Sequence, residues 1–249
     1  MNIVGVDIGG TFTDLVGCID GKIVTSKTST TPADPTRGVA TSLDLAHCSL
    51  PDLGEVLHGS TIAINTVLER KGARTALITT RGFRDVYAIG RGNRIEAFNL
   101  NFHRPKPLTE RRHTFEVSER VNAAGEVVTP LDVAQIEALA AHIGTLGIDA
   151  VAICFLHSWA NPEHERIAGD ILRRELPNLF VTLSHEILRE FREYERTSTT
   201  VLNAYVGPRV SNYLDTLDRY PDHLVDVSYW EFDTNAATCG RHADAREAR

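Results

Sequence analysis

The sequence has little of what marks a secreted or membrane-spanning protein. Only four of its 249 residues are cysteines, at positions 18, 48, 154 and 239, and they form no CxxC pair. This spacing favours reduced, buried thiols and argues against a disulfide framework. No basic leader with a cleavable apolar segment opens the chain, and no apolar run is long enough to span a bilayer. We therefore expect a cytoplasmic protein without a membrane partner.

Basic residues are also scarce relative to acidic ones. Lys and Arg number 26 against 33 Asp and Glu, which gives a formal net charge of −7. Because affinity for a nucleic-acid backbone depends on clustered cations, this charge argues against a nucleic-acid partner, although it leaves a nucleotide ligand open. The ten histidines include no HExxH pattern and no spacing with cysteine that would indicate zinc. What remains is the composition of an ordinary soluble globular protein, with 42% hydrophobic residues.

Hydrophobic periodicity predicts an α/β fold that begins with a β-meander. Residues 2–6, 13–19 and 23–30 are predicted to be three strands joined by short turns. Beyond them strands and helices alternate: strands are predicted at residues 55–60, 74–79, 149–156 and 180–184, and helices at residues 36–47, 63–70, 132–146 and 162–176. We expect residues 101–119 to form an extended excursion over the surface and residues 125–129 to form a short hairpin arm. The most economical architecture is a mixed sheet with flanking helices.

The C-terminal part of the chain has a different pattern. A long helix is predicted over residues 195–220, interrupted near Gly207 and Pro208. We expect its apolar positions to face a further lobe; they are Val201, Leu202, Tyr205, Val210, Tyr213 and Leu217. Residues 221–249 keep no helical period, which indicates either a natural disordered tail or a frameshifted one.

The stretch DIGGTFTD, residues 7–14, has the composition of a phosphate-binding turn. Gly9 and Gly10 allow a phosphate to approach the backbone closely, and Thr11 and Thr13 could add hydroxyl donors. Asp7, at the end of the first strand, could hold Mg²⁺ through water, because Mg²⁺ prefers oxygen ligands and keeps several waters. The order strand–turn–strand differs from the glycine-rich loops that end in GK[ST] or open a helix. A plain hairpin turn is the alternative.

Two further segments carry candidate binding residues. Ser60 and Thr61 end a strand before a helix whose first turn could face an anion, although either could simply cap that helix. Arg84 and Arg91 lie in a basic, loop-rich stretch and could bind a substrate carboxylate. Surface ion pairs are the alternative for both arginines.

Several motifs in the same order resemble the N-terminal domain of the hydantoinase A and 5-oxoprolinase family. DIGGTFTD itself looks like the first phosphate motif of the actin-like ATPase and sugar-kinase superfamily. The motifs that carry the family resemblance are HGSTIAINTVLERKGARTALITTRGFRDVYAIGR (58–91), RPKPLTERRHTFEVSERV (104–121), CFLHSWANPEHE (154–165) and SHEILREFREYERTSTTVLNAYVGP (184–208). The resemblance runs almost continuously from residue 3 to about residue 220. It implies the ribonuclease H-like lobe of an actin-like ATPase.

The resemblance also implies an activity and its cofactors. Family members use ATP, with Mg²⁺, to open a cyclic amide such as hydantoin, N-methylhydantoin or 5-oxoproline by phosphoryl activation of its carbonyl. Asp7 and Glu195 are then the expected catalytic residues, because the superfamily often carries an acidic residue near the terminal phosphate where the chain crosses between lobes. A solvated acidic face is the alternative for Glu195. A hydantoinase B-type subunit is the expected partner, and a ketone carboxylase subunit or a sugar kinase is the weaker alternative.

Domain boundaries follow from the same resemblance. Residues 1–194 correspond to the N-terminal lobe, residues 195–220 to a connecting helix that begins a second lobe, and residues 221–249 to an atypical tail. The second phosphate loop and the adenosine-binding glycines of the superfamily belong to that second lobe. We therefore expect a truncated chain, and a non-catalytic lobe or partner-binding fragment is the alternative function.

Overall fold

A computed structural model describes residues 2–31, 34, 36–93 and 98–218. Its backbone divides into two compact units. Among the described residues, the first unit contains those up to 69 and those from 210 onward, and the second contains residues 70–209. The expected boundary at residue 195 and the expected tail stay predictions, and the tail lies outside the described residues.

The first unit is built on a four-stranded mixed sheet. Its strands are β1 (Ile3–Ile8), β2 (Phe12–Ile19), β3 (Lys22–Ser29) and β4 (Glu55–Ser60), in the order β3-β2-β1-β4. β2 is antiparallel to β1 and β3, whereas β4 is parallel to β1. The β2–β3 turn has two residues with positive φ, Asp20 at 50° and Gly21 at 76°, as the tight hairpins that match strand twist require. The predicted meander is confirmed.

The core of the first unit lies on one face of this sheet. Val4, Val6 and Ile8 are buried, whereas Asp7 between the last two is exposed, because side chains alternate along a strand. Helix α1 (Thr36–Leu45) contributes to this core, and helix α2 (Ile62–Leu68) directly follows β4; a single 3₁₀ turn, Leu50–Asp52, lies between α1 and β4.

The second unit contains a parallel sheet with helices on both faces. Its elements are β5 (Thr75–Thr80), α3 (Val86–Ile89), a 3₁₀ turn (Arg111–His113), β6 (Thr114–Val117), β7 (Arg120–Val121), β8 (Val127–Thr129), α4 (Val133–Thr145), β9 (Ala150–Cys154), α5 (Glu163–Glu175), β10 (Phe180–Leu183), α6 (Ser184–Ile187) and α7 (Glu193–Asp218). Sheet order is β10-β9-β5-β6, and β7 and β8 form a separate hairpin. Every residue of β5 and β9 is buried, as central strands covered on both faces require.

Two cores cover the faces of this parallel sheet. On one face, Ile136 of α4 and Leu172 of α5 pack against the strands. On the other, Val201 and Ala204 of α7 pack against β5 and β9. Asp132 begins α4 as predicted, because its carboxylate accepts a hydrogen bond from the Gln135 N–H at 3.0 Å.

The α/β class and the mixed meander sheet are confirmed, and the predicted strands are divided between two four-stranded sheets. The predicted surface excursion over residues 101–119 is wrong at its end. Residues 114–117 form β6, which pairs parallel with β5, and His113 and Thr114 are buried. Two arginines and a histidine, residues 111–113, directly precede β6 in the sequence. Because these residues are basic and polar, the local composition did not indicate a strand here.

The predicted interruption of the long helix near Pro208 is also wrong. α7 continues through Pro208 although a proline inside a helix removes one hydrogen bond and costs about 3 kcal/mol. The neighbouring Gly207 is packed so closely that an added Cβ would collide with the Phe180 ring of β10. The expectation that the apolar positions of this helix face a further lobe is wrong for Val201, Tyr205 and Tyr213, which are buried among the described residues, whereas Leu202 is 41% exposed.

The end of α7 belongs to the first unit. Its Tyr213 packs in the core beneath the meander sheet, and its hydroxyl is hydrogen-bonded to the His58 ring of β4. Burial lowers the pKa of His58, and the charge of Asp7 opposes this effect.

Candidate functional site

The turn between β1 and β2 offers unpaired backbone donors. The Gly9 N–H is used within the turn, since it donates to the Phe12 carbonyl at 2.9 Å. The amides of Gly10 and Thr11 donate to no acceptor in the part of the chain that the structure describes, and both residues are exposed. Two neighbouring free N–H groups form the kind of concavity that holds an anion.

Thr13 stabilises this turn from the buried side of the sheet. It is fully buried, and its hydroxyl oxygen lies 3.1 Å from that of Thr30. Thr30 in turn donates its hydroxyl to the Gly9 carbonyl at 2.9 Å and its N–H to the Thr11 carbonyl at 2.9 Å. Thr13 therefore holds the turn in shape from the core side, whereas the sequence predicts a direct contact between its hydroxyl and a phosphate.

Asp7 lies next to this turn with space around its carboxylate. In the β ladders it is the partner of Asp14 on one side and of Gly59 on the other. A Cβ on Gly59 would lie 3.2 Å from Asp7 Oδ1, so the glycine keeps that side open. Asp14 is bound to Lys27 at 2.6 Å, whereas Asp7 has no ion pair among the described residues. Both carboxylates line a groove of about 380 Å³.

Ser60 and Thr61 lie where β4 meets α2, beside the same turn. Ser60 accepts a hydrogen bond from the Ile62 N–H at 3.3 Å, and Thr61 N–H donates to the Ile8 carbonyl at 3.2 Å. The Thr61 hydroxyl accepts from Asn65 at 2.9 Å, and a Cβ on Gly10 would lie 3.0 Å from that same amide nitrogen. The structure thus gathers all predicted residues of this group at one edge of the meander sheet: Asp7, Gly9, Gly10, Thr11, Thr13, Ser60 and Thr61.

The other predicted residues belong to the second unit. Arg91 and Glu195 form an ion pair, with Arg91 Nε 2.7 Å from Glu195 Oε1. The pair lines an open pocket of about 590 Å³. Arg84 does not line it: its Nη2 donates to the Arg111 carbonyl at 3.1 Å, and Arg111 pairs with Asp85.

Arg91 stabilises the ionised form of Glu195. The hydrogen bond from Arg91, with help from the charge of Arg192, lowers the pKa of Glu195 below its ordinary value. Glu195 is therefore ionised at neutral pH. Neighbouring Glu193 also lines the pocket, and its Oε1 is buried without a hydrogen-bond partner among the described residues.

A buried polar network, which the sequence did not reveal, fixes the start of α7. Glu165 and Arg196 are both fully buried, 3.9 Å apart, and are joined by the Ser184 hydroxyl, which donates to Glu165 at 2.6 Å and accepts from Arg196 at 2.8 Å. Glu165 also accepts from the Phe155 N–H at 2.9 Å and from His185 Nδ1 at 2.8 Å. Arg196 donates to the Phe155 carbonyl at 2.7 Å. The network ties α5, the β9 terminus, α6 and α7 together, one residue beyond Glu195.

Acid should weaken this network. Burial raises the pKa of Glu165, but the hydrogen bonds that it accepts, above all from His185, hold the pKa below its ordinary value. A carboxyl with a lowered folded-state pKa stabilises the fold above its unfolded pKa of about 4.3, and this stability is lost as the pH falls through the folded value. Below about pH 4, the free energy of unfolding should therefore fall more steeply for the wild type than for Glu165→Gln. Urea unfolding across a pH series, where both proteins remain folded, checks this, and parallel slopes would contradict it.

The described residues contain neither a metal-binding cluster nor a membrane-spanning helix. No three His, Cys, Asp or Glu side chains gather there in a way that could hold a metal ion by themselves. No helix in residues 2–31, 36–93 and 98–218 is long and apolar enough to cross a membrane.

Comparisons with known proteins agree on one family. The hydantoinase/oxoprolinase N-terminal region matches residues 3–176. An uncharacterised protein of Methanocaldococcus jannaschii is 42% identical over 216 residues, which cover 85% of this chain and 32% of the relative. The acetophenone carboxylase gamma subunit of Aromatoleum aromaticum is 33% identical, with 85% of this chain and 32% of the relative covered.

A solved structure has the same fold. The ATP-dependent caprolactamase from Pseudomonas jessenii superposes with a TM-score of 0.80 at 31% identity, covering 92% of this chain and 35% of that one. The chain thus spans about a third of the length of these relatives. With the family region matching most of its residues, the chain belongs to the hydantoinase/oxoprolinase family.

Proposed function

We propose that the chain binds the phosphates of Mg-ATP at the β1–β2 turn and takes part in an ATP-driven reaction on a carbonyl compound. The observation that carries this proposal is the pair of exposed amides at Gly10 and Thr11 beside the carboxylate of Asp7; among the described residues the two amides have no acceptor and Asp7 has no ion pair. Amide donors suit phosphate oxygens, and a carboxylate suits the metal ion that accompanies them. Family membership supports the nucleotide, since the caprolactamase relative is described as ATP-dependent.

The residues around the β1–β2 turn fit this ligand. Gly10 has no side chain to block approach to the amides, and Gly59 leaves space beside Asp7. Asp7 would hold Mg²⁺ together with phosphate oxygens and water, because Mg²⁺ usually keeps several waters and needs few protein ligands. Ser60 and Thr61 would line the same edge, and Gly9 and Thr13 would keep the turn in shape.

The reaction that we favour is the opening of a cyclic amide. An unstrained amide is a poor electrophile, and transfer of the γ-phosphoryl group to its carbonyl oxygen removes the amide resonance. Water then adds to the activated carbon, and the C–N bond breaks as the ring nitrogen takes up a proton, which leaves an acyl phosphate. A second water hydrolyses this acyl phosphate to the carboxylate and releases phosphate. Bound Mg²⁺ would neutralise charge on the transferred group; the protein mainly positions the reactants.

Glu195 and Arg91 would act on the carbonyl compound. An ionised Glu195 can accept a hydrogen bond from the attacking water and orient it, although its lowered pKa makes it a weak base. Arg91 would hold Glu195 in place and could contact the substrate. Arg84, engaged with the Arg111 carbonyl, is the weaker candidate for substrate binding.

Relatives support two reactions. The caprolactamase relative favours a cyclic amide substrate, whereas the acetophenone carboxylase relative favours carboxylation of a ketone as a second candidate. That relative is named as a subunit, which supports a multisubunit assembly, and we propose a hydantoinase B-type protein as the partner. Because the chain spans about a third of these relatives, we propose that turnover requires this partner protein in addition to the chain.

Substrate-dependent ATP hydrolysis tests this function. We expect phosphate release from Mg-ATP to rise when hydantoin or caprolactam is added together with a B-type subunit, and to stay at background with the chain alone. Stimulation by acetophenone and bicarbonate instead would favour the carboxylase. A loss of all stimulation in Asp7→Asn is expected; unchanged turnover in that variant would contradict the proposed site.

A further inference from the structure

We infer that Thr30 is a positioning residue of the β1–β2 turn. Its hydroxyl fixes the peptide group between Gly9 and Gly10 so that the turn presents the Gly10 N–H to an anion, and not the Gly9 carbonyl. This inference rests on the proposed function, because it names the residue that keeps that site able to bind phosphate. Thr30 directly follows β3 in the first unit and is half-buried.

Two hydrogen bonds join Thr30 to the turn. Its hydroxyl donates to the Gly9 carbonyl at 2.9 Å, and its N–H donates to the Thr11 carbonyl at 2.9 Å. The carbonyl oxygen and the N–H of a trans peptide group lie in one plane and point in opposite directions. Because the Gly9 carbonyl points to Thr30, the N–H of the same peptide group, which belongs to Gly10, points away from Thr30. The Thr30 hydroxyl thus orients one of the two amides that the proposed phosphate site uses.

The turn needs this constraint because the peptide group lies between two glycines. A peptide group turns over by rotation about ψ of the residue before it and φ of the residue after it. Glycine accepts the backbone angles that result, positive φ included, although neither Gly9 nor Gly10 has positive φ in the structure. The overturned peptide group would direct the Gly9 carbonyl oxygen to the anion, and its partial negative charge would repel phosphate.

The buried side of the turn stabilises the observed orientation. Thr13 is fully buried, with its hydroxyl oxygen 3.1 Å from that of Thr30. Because the single hydroxyl proton of Thr30 goes to the Gly9 carbonyl, Thr13 is the donor to the Thr30 oxygen, and the three groups form a chain of hydrogen bonds. A Cβ on Gly38 of α1 would lie 2.6 Å from Thr13 Oγ1, so α1 keeps this hydroxyl in place. Overturning the peptide group would remove the acceptor at the end of the chain, which costs free energy.

Calorimetric titration of the 249-residue chain with Mg-ATP tests the inference in four proteins: the wild type, Thr30→Val, Thr30→Ser and Thr25→Val. Valine has nearly the shape of threonine but no hydroxyl, so Thr30→Val should weaken Mg-ATP binding about tenfold or more. Thr30→Ser keeps the hydroxyl and should bind within about threefold of the wild type. Thr25→Val makes the same exchange at an exposed position of β3 and should leave the affinity unchanged.

Crystal structures of the nucleotide-free wild type and of nucleotide-free Thr30→Val provide a second readout, which a general loss of stability would not change. In the wild type we expect the Gly9 carbonyl oxygen to accept from the Thr30 hydroxyl. In Thr30→Val we expect the peptide group to be overturned, with the Gly9 carbonyl oxygen directed away from position 30. This readout needs no nucleotide, so it is independent of Mg-ATP binding.

The inference is overturned if Thr30→Val binds Mg-ATP as tightly as the wild type, if Thr30→Ser binds as weakly as Thr30→Val, or if the peptide group keeps its orientation in Thr30→Val. A nucleotide-free wild type with the Gly9 carbonyl directed away from Thr30 would also overturn it, and this result decides the matter even if Thr30→Val does not fold. A wild type that binds no Mg-ATP would instead contradict the proposed function, and the two crystal structures would still test the role of Thr30.

Discussion

Replacement of Arg196 by methionine is expected to lower the free energy of unfolding by about 3–5 kcal/mol, because it leaves the Glu165 carboxylate buried without its cationic partner. Both side chains are fully buried, so water cannot replace the lost charge. Methionine keeps much of the side-chain length, so the loss reflects charge and hydrogen bonds more than volume. Chemical denaturation of the two proteins at neutral pH measures it.

Two variants sharpen this measurement. Arg174→Met removes an arginine whose side chain is 62% exposed and whose ion pairs lie on the surface, so it should cost less than about 1 kcal/mol. The double variant Glu165→Gln, Arg196→Met should recover part of the loss, since no uncompensated charge remains. If Arg196→Met were no more destabilising than Arg174→Met, the network would not fix the start of α7 as inferred.

Replacement of Gly10 by valine is expected to weaken Mg-ATP binding by about a hundredfold, because the side chain would cover the two free amides and displace two charge-assisted hydrogen bonds. Gly10 has no positive φ, so its backbone conformation accepts a side chain. The turn should therefore remain folded, and thermal unfolding should confirm this in the absence of nucleotide.

Asn65 provides the control for this substitution. A Cβ at position 10 would lie 3.0 Å from the Asn65 amide nitrogen, so part of the effect could come from a shifted α2. Asn65→Ala alone should change Mg-ATP affinity little, and the double variant with Gly10→Val should remain as weak as Gly10→Val. Recovery of binding in the double variant would show that crowding, and not blocked amides, caused the loss.

Local periodicity in the sequence predicted most helices and strands. The arrangement of the strands could not be predicted in this way, because it depends on pairing between distant parts of the chain. The continuous apolar run that became β9 and the amphipathic pattern that became α4 are local signals. The division of the strands between two sheets depends on which strands pair across the chain, which no local window contains. Likewise, α7 passes through Pro208, and the neighbouring Gly207 packs on Phe180 of β10, a contact between residues far apart in the sequence.

The candidate site was also predictable only in part, because some of its residues have local sequence signals and others do not. The composition of DIGGTFTD indicated a phosphate turn, and its Gly10 and Thr11 amides have no acceptor within the described part of the chain. The burial of Thr13 could have been anticipated, since its ladder partner is the buried Ile8 and paired residues share one face of a sheet. Glu165 and Arg196 gave no such signal, because charged residues at helix starts usually face solvent.

Titration of the chain with ATP, with and without Mg²⁺, tests the phosphate site most directly when Asp7→Asn is measured beside the wild type. The expected result is saturable binding that requires Mg²⁺ and is weakened about tenfold or more in Asp7→Asn. A wild type that binds no Mg-ATP, or an Asp7→Asn variant that binds it as tightly as the wild type, would contradict a nucleotide site at the β1–β2 turn.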